Sequence, residues 1–166
     1  ILSGFAINSF YQQAYRQTVQ GEAKQVVQFL NMANMYVKKT GQIASLKINA
    51  TGLSLQSEAS CGGSVIRDNK FAEGIELVSM ESRSLTGLPT GLTASSGISG
   101  FLGNWNSCIE LGVQVGNAIE DNGGLVLGNS RLPQGEEFNV AIVKAASHIN
   151  FRKYVSIASG DWNYRK

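Results

Sequence analysis

Apolar residues recur between Tyr11 and Thr40 at spacings of three and four: Tyr15, Val19, Ala23, Val26, Leu30, Ala33 and Val37. That period lays them on one stripe of an α-helix. Gln12, Gln17, Lys24, Gln28, Asn31 and Lys38 fall on the opposite face, and no proline interrupts. Lys38, Lys39 and Thr40 lead into Gly41. Cations in the last turn and glycine beyond it predict a helix that stops near Thr40. Upstream, ILSGFAINSF is apolar on every face and joins the amphipathic part with no break stronger than Gly4 and Asn8. Residues 1–40 therefore read as one helix of about 60 Å. An all-round apolar helix end needs lipid or other protein around it. Residues 1–10 alone fall short of the roughly 20 needed to span a bilayer.

After Gly41 the period drops towards two. QIASLKIN carries its apolar signal at Ile43, Leu46 and Ile48, with Ser45 between, and LSLQSE follows the turn NATG. These two runs predict a β-hairpin. Further strand candidates are 74–81 (GIELVSME), 107–115 (SCIELGVQV), 123–128 (GGLVLG), 136–145 (EEFNVAIVKA) and 149–159 (INFRKYVSIAS), before a short tail, GDWNYRK. GGSVIRDNK reads as a turn, and not as a phosphate loop, because it lacks the Lys-Ser/Thr pair. Short strands, glycine turns and no second long helix predict an α+β fold: a helix over 1–40 packed on an antiparallel β domain, 41–166, of one or two sheets. Residues 84–104, SLTGLPTGLTASSGISGFLGN, form an expected long loop. It is either a functional surface or an insertion that only packs its apolar residues.

Composition narrows the class. A chain of 166 residues suits one domain. Charged residues make up 16%, against about 25% in typical soluble domains, and Ser, Asn, Gln and Thr fill the gap. Such a surface suits an extracytoplasmic β-rich protein. A net charge of +2 is too mild to imply nucleic-acid or membrane binding from bulk electrostatics. Cys61 and Cys108 lie in SCGGS and WNSCIE without metal-ligand spacing, and His148 stands alone. Outside the cytoplasm the two thiols read as a disulfide; in the cytosol they read as buried thiols.

Candidate chemistry is sparse. No Gly-x-Ser-x-Gly and no nucleophile with His/Asp partners occurs. Glu136-Glu137 and Glu120-Asp121 are adjacent acids, which point to opposite faces and read as solvated. With Asn122, the second pair has Ca²⁺-ligand chemistry, outweighed by a solvated turn. Asn49-Ala50-Thr51 has the form of a glycosylation sequon and reads as incidental. The expectation is a protein with no enzyme activity, cofactor, metal or small-molecule substrate.

Both ends of the chain resemble a type IV pilin-like protein. ILSGFAINSF is similar to the second half of a pilin N-terminal segment, an apolar run with a short polar step before Ser-Phe. RQTVQGEAKQVVQFLNMANMYVKKTGQ resembles minor pilins and pseudopilins of the GspH/FimT family, with Leu30, Ala33, Asn34 and Val37 in the Leu-x-x-Ala-Arg-x-x-Ala stretch and Lys39 and Gly41 at its stop. Asn34 replaces the family's Arg. GLVLG, EEFNVAIV and RKYVSIASG match its C-terminal strands, with Ser159-Gly160 at the closing turn; 58–120 matches poorly.

The resemblance implies a minor pilin that primes fibre assembly at the tip of a type IV pilus, or a minor pseudopilin of a type II secretion system. It implies about fourteen further residues upstream, inner-membrane anchoring through them, a periplasmic domain, and other major and minor pilins or pseudopilins as partners. Ile1, Leu2, Phe5, Ala6, Ile7 and Phe10 would belong to the fibre-core stem, and Tyr15 to Val37 would hold the β domain. A periplasmic location favours a Cys61–Cys108 bridge, worth about 4 kcal/mol. Some relatives acting in natural transformation bind DNA through a Gly-Arg-x-Arg tail. Here Asp161 occupies the first Arg position. Arg152, Lys153, Trp162, Tyr164, Arg165 and Lys166 are the candidate DNA-binding set, cations interleaved with aromatics. The alternative is an edge strand whose Trp162 and Tyr164 pack on the sheet.

Overall fold

In the computed structural model, the described residues are 2–80, 83–94, 100–112, 119, 122–129, 132, 135–145, 150–158 and 160–166, with the backbone alone for 2–6. Glu120, Asp121, His148 and Ser159 lie outside them, as do residues 113–115 of the strand expected over 107–115.

Helix α1 spans Leu2–Thr40. It stops where the sequence places the stop: Gly41 adopts φ 66°, and its N–H donates to Val37 O at 2.9 Å. This is the single-bond left-handed cap, which satisfies a carbonyl the last turn would leave open. The Thr40 hydroxyl donates to Tyr36 O at 2.9 Å in the same turn. Val19, Ala23, Val26, Leu30, Ala33 and Val37 are buried, and Tyr15 packs at the edge of their cluster. Gln17, Lys24, Gln28, Asn31 and Lys38 face solvent. Gln12 departs from the expected polar face: it is half-buried, and its amide donates to the Glu136 carboxylate. Phe29 and Glu22 join the buried side and widen the stripe.

Ten strands follow among the described residues: β1 (Ala44–Asn49), β2 (Gly52–Gln56), β3 (Val65–Lys70), β4 (Ile75–Leu77), β5 (Phe101–Gly103), β6 (Cys108–Leu111), β7 (Gly123–Asn129), β8 (Phe138–Lys144), β9 (Arg152–Ile157) and β10 (Asn163–Arg165). They form two antiparallel sheets. The first runs β3-β2-β1-β6; the second runs β10-β9-β8-β7-β4, with β5 also pairing β7. The protein is thus an α+β fold with one long N-terminal helix packed on antiparallel sheets.

The β1–β2 hairpin turns where Asn49 Oδ1 accepts the Thr51 N–H at 3.0 Å. Asn49 therefore serves the turn, closing it through its own side chain. Ala44, Leu46 and Ile48 point into the core, whereas Ile43 is exposed, so the inward row begins one residue later than expected. GGSVIRDNK is not a turn. Its second part is β3, paired to β2 from Gly52↔Lys70 to Leu55↔Arg67. The strand expected over 74–81 shrinks to β4, although the Val78 N–H still reaches Val126 O at 3.0 Å. The short tail forms the edge strand of the second reading: β10 pairs with β9, with Trp162 buried and the Tyr164 ring against Tyr154.

Strands β7 and β8 are buried at every position. A strand alternates only when one face is wet, and these are covered on both. Leu125, Leu127, Phe138, Val140 and Ile142 meet α1 and the first sheet in the main core. On the far face, Val126, Ala141 and Val143 meet Leu92, Leu102, Tyr154 and Trp162 in a second core. Of the 84–104 run, residues 95–99 lie outside the described residues; β5 joins the second sheet along β7, and 84–94 lay Leu85, Leu88 and Leu92 over the far face as a third layer. Its clamp is Trp162, whose N–H donates to Thr86 O at 2.8 Å and whose indole donates to Ser84 O at 2.9 Å. Gly87 sits there at φ 93°, and a Cβ would collide with the Trp162 carbonyl.

Cys61 and Cys108 are joined, with Cα atoms 5.9 Å apart. The bridge ties the β2–β3 connection to the start of β6. The Cys61 N–H also donates to the buried Ser45 hydroxyl at 3.1 Å.

Candidate functional site

Two surfaces carry the residues singled out by the sequence. The first is the start of α1. Ile7 is 55% exposed, Phe10 70% and Tyr11 57%, with Phe10 and Tyr11 in edge contact at 6.4 Å. The side chains of Ile1, Leu2, Phe5 and Ala6 lie outside the described residues. Among the described side chains, the helix first meets the β body at Gln12, through Glu136, and at Tyr15 and Arg16, whose guanidinium lies 5.7 Å from the Phe138 ring centre. The described side chains N-terminal to that point, residues 7–11, are exposed. No helix among the described residues is long and apolar enough to cross a membrane.

The second surface is the β9–β10 edge. The register opposes Arg165 to Lys153, Tyr164 to Tyr154 and Asn163 to Val155. Alternation along paired strands then divides the candidate cations between two faces. Lys153, Arg165 and Lys166 gather on the helix side, around a groove of about 290 Å³ floored by Val140, Val155 and Ile157. Gln20 of α1 forms the opposite wall. Tyr164 lies on the far face, its ring 5.7 Å from that of Tyr154, with the Arg152 guanidinium 5.2 Å from the Tyr164 ring centre. Trp162 is 4% exposed and bonded to the 84–104 layer, so its ring cannot stack on a base. The six residues are neighbours in the fold, yet they do not form one interleaved face. Tyr154 and Gln20, which also border these two faces, carry no sequence signal, because strand pairing and helix docking alone bring them there.

Candidate chemical residues are spread out. Glu136 accepts from Gln12, and Glu137 accepts the Gly135 N–H at 2.9 Å. No group of three His, Cys, Asp or Glu side chains among the described residues gathers as a metal would require. Glu22, unmarked in the sequence, is 4% exposed and accepts the Ala72 N–H at 3.0 Å. It pins the middle of α1 to the segment after β3.

Comparison of the chain with protein-family models, with curated proteins and with solved structures finds no match.

Proposed function

We propose that this chain is a minor, non-enzymatic subunit of a type IV pilin-like fibre, acting in assembly. One observation carries the reading. A 39-residue helix is buried along its C-terminal half and presents an exposed apolar surface at Ile7, Phe10 and Tyr11. At spacings of three and four these side chains adjoin on one helix face, and a contiguous exposed apolar patch marks a place where a partner docks. The β body buries its own core without help from that end, so the exposed end is free for other subunits. The partners are the apolar helices of neighbouring pilins, and the route passes through the inner membrane and periplasm. The minor pseudopilin of a secretion machine has the same physical requirements.

The proposal gives the 84–104 run a lesser part than its length suggests. Leu92 and Leu102 are buried, which leaves exposed polar residues such as Thr86, Thr90 and Thr93 for any contact with another subunit. The test is fibre incorporation. Ile7→Asp and Phe10→Asp should remove the protein from the sheared fibre fraction without lowering its melting temperature. Normal incorporation would contradict the proposal.

A further inference from the structure

A cavity of about 340 Å³ lies beside β4 and β8, apart from both surfaces described above. Its size is at the small-molecule end of ligand pockets, roughly 300–1,000 Å³. Asn139, Arg83, Glu76 and Glu137 line it, over the buried side chains of Leu77 and Leu132. The fold builds this place deliberately in one respect. Asn139 continues the outward row of Ala141 and Val143 on β8, where the two following residues enter the second core. Opposite it on β7 stands Gly128, and a Cβ there would collide with Asn139 Oδ1 and with Val78. The amide occupies the space that a side chain at 128 would fill. The Arg83 N–H donates to Met80 O at 3.1 Å, which holds Arg83 at the rim.

Two nitrogen donors at this site are unsatisfied. Asn139 is 2% exposed, and its Nδ2 is buried without a hydrogen-bond partner; Arg83 Nη1 is likewise buried and without one. Buried donors are almost always paired, and a charged donor left unpaired is the costlier case. Both call for an acceptor, and a carboxylate meets a guanidinium and an amide together in a short, directional contact. The remaining charges refine the class. Among the described lining residues, Arg83, Glu76 and Glu137 give a formal charge of −1, so a multiply charged anion meets net repulsion from them. A ligand that brings its own cation is favoured.

We infer that this cavity binds a small zwitterion of the amino-acid class. Its carboxylate is held by Asn139 Nδ2 and Arg83 Nη1, and its ammonium lies towards Glu76 and Glu137. This inference stands independently of the fibre reading.

The test is an NMR titration of the intact chain with glycine, L-leucine and L-lysine, following the side-chain amide of Asn139. Sodium acetate, ethylamine and inorganic phosphate serve as comparison probes. The expected result is saturable movement of the Asn139 amide with an amino acid, at an affinity about tenfold above acetate or ethylamine. Arg83→Gln should weaken amino acid and acetate alike by about tenfold, as loss of one ionic hydrogen bond requires. Glu76→Gln, at a partly exposed position, should weaken the amino acids and leave acetate unchanged. That variant decides the matter if Arg83→Gln does not fold. No movement at millimolar amino acid overturns the inference, and so does phosphate binding more tightly than any amino acid.

Discussion

At Gly41 a single backbone angle ends the helix. No atom lies within 4 Å of where its Cβ would be, so Gly41→Ala meets no steric obstacle and costs only the left-handed conformation. That is about 1 kcal/mol, readable as a lower midpoint in urea at unchanged slope. An unchanged midpoint would contradict the cap. Glu22 is a different case. Glu22→Ala leaves the Ala72 N–H without its acceptor, at a cost of roughly 1–3 kcal/mol in the same measurement. The sequence announces Gly41, because lysines and glycine mark a helix end locally. It is silent on Glu22, whose partner is a backbone N–H fifty residues away.

Among the elements, α1 was legible nearly to the residue, since a stripe of apolar residues over so many turns has no rival reading. The β strands divide by exposure. β1, β2, β7, β8 and β9 show because they bury side chains. β3 does not, because five of its six positions are exposed and it is held chiefly by backbone pairing with β2. β10 shows in the sequence only through its aromatics, as the edge-strand reading of the tail: Asn163, Tyr164 and Arg165 are all exposed, and only the neighbouring Trp162 enters the core. The same logic ranks perturbations. Leu30 is fully buried at the centre of the helix stripe, and Leu30→Asp places a charge there at a cost of about 4 kcal/mol or more. That change should abolish the folded circular-dichroism transition; a variant of normal melting temperature would overturn the packing. Reducing Cys61–Cys108 frees a loop of sequence separation 47, about 4 kcal/mol by chain entropy. For a chain of this size the melting temperature should fall by about 8–16 °C. No fall would mean that the bridge adds nothing to stability.

Across the whole molecule, the candidate site was legible in composition and illegible in arrangement. The sequence places cations and aromatics near the C-terminus, but only strand pairing shows Lys153 and Arg165 on one face and Arg152 with Tyr164 on the other. The division also changes how DNA binding is best tested. Removing 161–166 would take Trp162 from the second core, so truncation confuses binding with folding. Arg165→Glu on the groove side and Arg152→Glu on the far side keep the strand and reverse its charge. The assembly account expects no gel shift of the unaltered chain at low salt; a shift lost in either variant would establish the nucleic-acid reading instead.

The central claim is that the apolar start of α1 is covered by the helices of neighbouring subunits. A photo-activatable residue at position 10, introduced into the protein in its own cell and irradiated, reports what lies against that helix face. The account predicts cross-links to the apolar N-terminal helices of other pilin-like subunits. Cross-links confined to this chain's own β sheets, or to proteins without such a helix, would contradict it.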